Sequence, residues 1–343
     1  MVNHYIGADV HSNNIELGVE RQGRIIQRHS LPTSIRAIRE VLDRIAGPKH
    51  LTFEEGPLAG WLYRNLKDHV DTLVVCDPRR NRLVACDGDK DDRIDAAKLA
   101  RLLRGGFLRA VYHSDDLQRL SLKRWVALYH DRVQAATRSI NKLRACARLY
   151  GERIPRSALQ DVAARRTWLA TLDSDLADQL RLLWRSYDSH RTDVRIAKRH
   201  MLRRARRFAV IGHWSALPGI GPIRSATLFA YLDTPWRFKK KTQLWKYCGV
   251  GLQRTGSGKD RHGRDRPARL ELFWMVNRRL KDVVMGMTLS AIRSQDNVFR
   301  DAYEERIRHG ALASNARHAA ARKMLTVMWG MWKSQRPFDA SLC

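Results

Sequence analysis

YIGADVHSNNIELGVERQGRIIQR, residues 5–28, carries the reading that decides the fold of the first hundred residues. Tyr5 to Asp9 is a short apolar run closed by an acid, the pattern of a buried strand. Ile15, Leu17 and Val19 alternate in the next run, and Gly23 marks a turn into a third, Arg24–Arg28. Beyond it, Ile35, Ile38, Val41, Leu42 and Ile45 follow helical spacing after Thr33-Ser34, a pair suited to capping. His50–Phe53 and Thr72–Cys76 read as two more strands, with a helix from Leu58 to Leu66 between them. Three strands, a helix and two further strands describe a mixed α/β sheet of ribonuclease-H type. The order alone also fits other α/β folds.

The charge is unevenly spread. Lys and Arg number 64 against 35 Asp and Glu, a formal net charge of +29. Residues 1–100 hold 15 of each sign, so the whole excess lies beyond them. A neutral head on a strongly basic body implies a polyanionic partner gripped mainly by the body. The figure exceeds what solubility requires. At 44% hydrophobic and 29% charged, the chain has the composition of a globular protein, not a disordered one. Cys76, Cys86, Cys146, Cys248 and Cys343 form no CxxC pair and no zinc spacing, which suits reduced thiols in the cytoplasm. The longest stretch without charged residues, Phe208 to Ile223, is too short to span a membrane, and no signal peptide is expected.

The middle of the chain is patterned differently. Val126, Tyr129, Val133, Ala136, Ile140, Leu143, Ala147 and Tyr150 are spaced alternately three and four apart. After Gly151 and Pro155 the pattern resumes as Leu176, Leu180, Leu183, Tyr187, His190, Val194, Ala197 and Met201. Two heptad helices around a breaker predict an antiparallel coiled-coil pair, within one chain or between chains. Two core helices of a bundle are the plainer alternative. Arg191, Arg195, Lys198, Arg199, Arg203, Arg204, Arg206 and Arg207 load the end of the second helix with positive charge.

From Phe208 a mainly helical domain is expected. Leu217-Pro218-Gly219-Ile220-Gly221-Pro222 resembles a helix-hairpin-helix, where Gly219 and Gly221 would let backbone amides approach a phosphate. A Gly-Pro turn between helices explains the same residues. The stretch from Trp236 to Lys246 is basic and aromatic, with Lys239, Lys240 and Lys241 as candidate nucleic-acid contacts.

Four acids stand out against this basic chain. Asp9 closes the first strand and Glu54 follows the strand His50–Phe53, while Asp92 and Asp95 share a face if a helix running to Leu103 begins there. In a ribonuclease-H-type sheet the first and fourth strands are parallel neighbours, so Asp9 and Glu54 would sit side by side. Such an oxygen-only set suits Mg²⁺, which can polarise a phosphodiester. Ordinary surface acids are the bland reading, and Asp87 and Asp89 fit it. Further on, Cys248 to Lys259 is a glycine-rich loop holding Ser257 beside Lys259, Arg261 and Arg264. By spacing alone it is a phosphate-binding or flexible loop.

Taken together, these segments resemble the DEDD-type transposases of bacterial insertion sequences of the one-ten class. Those are bridge-RNA-guided serine recombinases, with Piv-type DNA invertases among their relatives. The matching pieces are Tyr5-Ile6-Gly7-Ala8-Asp9-Val10-His11, then Glu54-Glu55-Gly56-Pro57 with Gly60 and Leu62-Tyr63-Arg64, then Lys90-Asp91-Asp92-Arg93-Ile94-Asp95-Ala96. Leu217 to Pro222 follows, then Gly249 with Ser257-Gly258, then the tail Pro337-Phe338-Asp339-Ala340-Ser341. Each piece is weak, but six in order over more than 330 residues are specific.

The resemblance implies a RuvC-like domain over residues 1–112 and a C-terminal transposase domain over 208–343, and the heptad spacing predicts a coiled-coil connector over 113–207 between them. The resemblance also implies that Asp9, Glu54, Asp92 and Asp95 hold Mg²⁺ and that Ser257 attacks DNA; the cations Lys259, Arg261 and Arg264 near that serine would favour an incoming phosphate. A structured bridge RNA would pair with target and donor DNA, and Ser257 of one subunit would complete the metal site of another in a dimer or tetramer. The setting would be the cytoplasm of a bacterium, at its nucleoid. This chain departs from the family pattern in three places. Glu55 follows Glu54, so either glutamate could serve as ligand; no Lys-x-Gly turn follows Ser257; and residues 152–172 lengthen the middle. The rival readings are a junction-resolving nuclease using metal and water alone, and a non-catalytic RNA- or DNA-binding relative.

Overall fold

The computed structural model describes residues 2–78, 92–255, 269–273 and 276–342, and the chain divides into two compact units, Met1–Asp115 and Asp116–Cys343. The first is a mixed α/β domain. Strands β1 (His4–Val10), β2 (Asn14–Arg21), β3 (Arg24–Pro32), β4 (Lys49–Glu54) and β5 (Thr72–Cys76) form one sheet in the order β3-β2-β1-β4-β5. β1 pairs antiparallel with β2, and β2 with β3. β1 pairs parallel with β4, and β4 with β5, so the first and fourth strands are parallel neighbours.

Strand alternation gives the sheet two unlike faces. Ile6, Ala8, Leu17, Val19, Leu51 and Phe53 point one way, into an aliphatic core completed by α1 (Ile35–Asp43) and α2 (Ala59–Leu66). The other face carries Gly7, Asp9, Glu16, Gly18, Glu20, Thr52 and Glu54, and α3 (Asp92–Arg104) lies across it. Glycine permits that crossing. A Cβ on Gly7 would stand 2.1 Å from the Ala96 carbonyl oxygen and 2.5 Å from the Ala100 nitrogen. One on Gly18 would meet the Ala97 nitrogen at 3.0 Å, so the helix rides directly on strand backbone, its own buried residues being Ala96, Ala97, Leu99 and Ala100. Ser34 does occupy the N-cap of α1, but its hydroxyl makes no capping bond; the Thr33 hydroxyl instead donates to the His11 carbonyl at 2.9 Å.

The second unit is mostly helical. α4 (Leu117–Leu149) and α7 (Ser174–Ala205) run antiparallel within the chain, with α5 (Arg156–Gln160) and α6 (Val162–Leu169) in their connection. Arg204 meets Ser121 at one end, His190 meets Ser139 midway, and Tyr150 meets Asp175 at the other end. The distal end packs Leu143, Ala147, Leu169, Leu176, Leu180 and Trp184 together. The base sinks Leu122, Val126, Met201 and Ala205 into a larger core. Between the two ends Val133, Ala136, Ile140, Tyr187, His190 and Val194 are only half-buried, because two helices alone cannot enclose a seam.

The larger core gathers α8 (Ala209–Ser215), α9 (Gly221–Leu232), α10 (Lys241–Tyr247), α11 (Arg278–Arg293), α12 (Val298–Arg308) and α13 (Ala313–Ser334). Trp214, Phe229, Trp332 and the methionines Met287, Met324 and Met328 fill it. The Arg119 guanidinium lies 4.8 Å from the Phe229 ring centre, a cation–π contact that brings charge to the edge of this core. A two-stranded antiparallel ladder, β6 (Leu252–Thr255) with β7 (Arg269–Leu272), projects from it. No helix among the described residues is long and apolar enough to cross a membrane.

Candidate functional site

The acids assemble where β1 and β4 end. Ala8 pairs with Phe53, so Asp9 and Glu54 are the next residues along two parallel neighbours, and both belong to the face that α3 covers. Asp9 is also the register partner of Glu16 on β2, so one row across the sheet reads Glu16, Asp9, Glu54. α3 begins at Asp92 and presents Asp92 and Asp95 in its first turn. The close approach at Gly7 brings that turn to the strand ends.

Asp9, His11 and Asp92 each offer a ligand atom within 4.8 Å of the other two, and among the described residues no other set of three His, Cys, Asp or Glu does so. The His11 Nε2 lies 3.2 Å from Asp9 Oδ2 and 3.4 Å from Asp92 Oδ2. Burial pushes the Asp9 carboxyl above its usual range, and the nearby charges of Asp92 and Asp95 act in the same direction. The hydrogen bond with His11 opposes them, and it raises the His11 imidazole in turn. The charged form of Asp9 thus carries a penalty, mainly from burial and in smaller part from the neighbouring acids. A divalent cation would relieve it, and carboxylate oxygens with an imidazole nitrogen are a donor set that accepts one.

Asp95 neighbours Asp9 closely enough to affect its charge, and also pairs with Lys98 at 3.7 Å. Glu54 lies exposed at its strand end, outside the Asp9–His11–Asp92 set. The neighbouring Glu55 has gone elsewhere: the next position along the chain alternates in direction, and its carboxylate meets His113 Nε2 at 2.6 Å. Sequence reasoning named Asp9, Asp92, Asp95 and Glu54 but missed His11 and Glu16. His11 was in view within the opening motif, two residues past Asp9. Nothing in its spacing told that its ring would turn back. Glu16 is 7% exposed, accepts from Ser30 Oγ at 2.5 Å and lies 3.9 Å from Arg93. An acid interleaved with Ile15 and Leu17 was the available signal, since alternation aims it at the other face.

The expected nucleic-acid contacts lie in the second unit. Lys239, Lys240 and Lys241 are exposed at the start of α10, beside Trp236, which is 71% exposed. Lys333 stands 3.6 Å over the Trp329 ring and 5.2 Å over that of Trp236. Cations and an open aromatic face are what a nucleic-acid strand meets on such proteins. Gly219 has a packing reason for being glycine: at φ +78° its missing side chain faces α11, where a Cβ would fall 2.4 Å from the Ala291 nitrogen. Gly221, at φ +66°, opens α9 with clear space before it.

Ser257, Lys259, Arg261 and Arg264 lie outside the described residues, as do Asp87 and Asp89. The strands that flank the serine segment are described, and the Thr255–Arg269 pair closes their ladder. They stand on a firm root. Cys248 and Val250 are buried, burial pushes the Cys248 thiol up, and Arg322 of α13 donates to the Val250 carbonyl at 3.1 Å.

Comparison with known families adds two matches. Residues 6–151 match a family described as a transposase, DEDD_Tnp_IS110. Residues 214–304 match one described as the transposase IS116/IS110/IS902 family. Comparison with curated proteins yields no match.

Proposed function

Since the chain belongs to the IS110 family of transposases, we propose that it cuts and rejoins DNA with a divalent-ion site in its first unit and Ser257 as the nucleophile. The observation that carries this reading is the meeting of Asp9, His11 and Asp92 at the carboxyl ends of parallel strands. That is where open α/β sheets place their chemistry. The strand order supports the RuvC-like assignment of this domain, and the packed pair α4 and α7 supports the connector. Asp9 and Asp92, with Glu54 and Asp95 as the resemblance implies, would hold Mg²⁺. When bound, that ion supplies charge neutralisation and polarisation of a phosphodiester.

In the proposed step, Ser257 Oγ bonds to phosphorus as the bond from phosphorus to the departing strand's oxygen breaks. The serine gives up its proton and the departing oxygen gains one. The products are a strand joined to the protein through a phosphoserine ester and a strand ending in a hydroxyl. Attack by a hydroxyl of a new partner strand reverses the exchange with the same bonds made and broken, so no ATP is needed. Lys259, Arg261 and Arg264 would hold the phosphate. The basic second unit, with Lys239, Lys240 and Lys241 exposed, suits both DNA and a structured guide RNA that selects the sites. Assembly of two or more copies would let one subunit's Ser257 serve another's acids.

The test is to quench reactions on labelled DNA and run them on a denaturing gel. Wild type should give a protein–DNA adduct, and Ser257→Ala should give neither adduct nor recombinant. Cleavage by Ser257→Ala that depends on the acids would replace this mechanism with hydrolysis by metal and water.

A further inference from the structure

We propose that His11 is a direct ligand of the ion held by Asp9 and Asp92, and that its nitrogen shifts the site's preference from Mg²⁺ towards Mn²⁺ and similar nitrogen-accepting divalent ions. The inference rests on the metal-dependent reading of the acidic cluster and adds to it a residue outside the four acids. The His11 Nε2 stands 3.2 Å from one Asp9 oxygen and 3.4 Å from one Asp92 oxygen. Octahedral coordination at about 2.0–2.1 Å sets neighbouring donor atoms about 3 Å apart, so these separations are those of adjacent corners. The backbone of His11 is held at two points. Its N–H donates to the Asn14 carbonyl at 2.9 Å, and its own carbonyl accepts from the Thr33 hydroxyl at 2.9 Å. The turn between β1 and β2 therefore delivers the ring to the acids, and the ring remains 46% exposed, open to an arriving ion.

The chemistry of the donors sets the preference. Carboxylates alone suit Mg²⁺, Ca²⁺ and Mn²⁺, whereas an imidazole is accepted far better by Mn²⁺ and the later divalent metals than by Mg²⁺. A neutral ligand also takes one place in the coordination shell without adding to the negative charge of Asp9, Asp92, Asp95 and Glu54. A hydrogen-bonding role for His11, steering Asp9 from outside the shell, predicts the same resting contact but no bond from nitrogen to metal. Spectroscopy separates the two.

Mn²⁺ is added to the full-length protein, and pulsed electron paramagnetic resonance is recorded for hyperfine coupling to ¹⁴N. The expected result is one bound Mn²⁺ with imidazole nitrogen coupling in wild type. His11→Ala and His11→Gln should lose the coupling, bind Mn²⁺ about tenfold or more weakly and Mg²⁺ less affected, and keep an unchanged circular dichroism spectrum. Mn²⁺ bound in wild type without nitrogen coupling, or coupling that survives in both variants, overturns the ligand role and leaves the metal site standing. Failure of wild type to bind Mn²⁺ at all overturns the metal reading itself.

Discussion

The two units handle charge in opposite ways. The first holds 18 Lys and Arg against 16 Asp and Glu, and the second 46 against 19. In the first, acids sit on the sheet itself: Glu16 and Glu20 are buried on β2, with Arg104 3.2 Å from Glu20, and Asp9 and Glu54 stand near the ends of their strands in the same row as Glu16. In the second, Asp233 is buried between Lys123 and Arg237, each 3.5 Å away, and most cations stay on helix surfaces. The cores differ too, aliphatic around the sheet, aromatic and methionine-rich among the helices. The contrast shows where each task can be built. Gathering like charges needs backbones locked in register so that repulsion cannot spread them. Gripping a polyanion needs only many cations on a scaffold, and tolerates their individual motion.

The strongest way to break this comparison is through the acids. Asp9→Ala or Asp92→Ala should lower DNA cleavage by at least about a thousandfold, the scale of several kcal/mol of lost metal-assisted stabilisation. Thermal melting in chelator should be unchanged or slightly higher, since a repelling group is gone. Glu54→Ala should cost more activity than Glu55→Ala, whose carboxylate is engaged with His113. Cleavage at wild-type rates in all four would move the chemistry out of the first unit.

Next in size is the contact that brings α3 to the sheet. Gly7→Ala would drive a Cβ into helix backbone, which cannot rotate away, and should destabilise the first unit by about 3 kcal/mol with loss of metal binding. Chemical denaturation measures the first effect and metal titration the second. A variant with wild-type stability would mean that α3 does not depend on the bare strand.

pH separates the units by sign. His130 in α4 is half-buried, and this desolvation, with Arg279 adding to the effect, lowers its pKa to about 4. Its Nε2 donates to Thr227 Oγ1 at 2.9 Å, because that hydroxyl already donates to the Ile223 carbonyl. The unfolded chain binds a proton near the ordinary value of 6.5 while the folded one resists it. Stability of the second unit should therefore fall as pH drops from 6.5 towards 4, by about 3 kcal/mol at most, and His130→Gln should flatten the slope. Asp9 works the other way: with its folded pKa raised, the native state is penalised as pH climbs above the ordinary carboxylate value, so Asp9→Asn should stabilise metal-free protein at neutral pH. Denaturation curves across this range check both.

The smallest expected effect sharpens the basic side. Changing Lys239, Lys240 and Lys241 together to Ala should weaken nucleic-acid binding uniformly across sequences. It should also reduce the slope of log affinity against log salt by about one per lysine. An unchanged slope would place the polyanion elsewhere on the second unit.

Much of this was readable beforehand. Alternating Ile15, Leu17 and Val19 and the short runs around Leu51 and Val75 announced the strands, and the three-residue spacing of Asp92 and Asp95 announced a shared helix face. The heptads of α4 and α7 predicted an antiparallel pair but left open whether it closes within one chain. The turn of α5 and α6 brings the partner back and so closes it within the chain. Ser34 looked like a working cap, yet Thr33 spends its hydroxyl on the His11 turn, a long-range partner no local rule reveals.

By itself, the sequence determined the order of strands and helices, the division between a neutral head and a basic body, and which acids could be gathered, because periodicity and charge are local properties of the chain. Only the tertiary structure decided that Gly7 and Gly18 are the floor on which α3 lies, that Glu55 turns to His113, and that His11 rather than another acid is the third member of the cluster with Asp9 and Asp92. Those outcomes depend on distances between segments from 58 to 93 residues apart, set by close packing of backbone on backbone and by strand register.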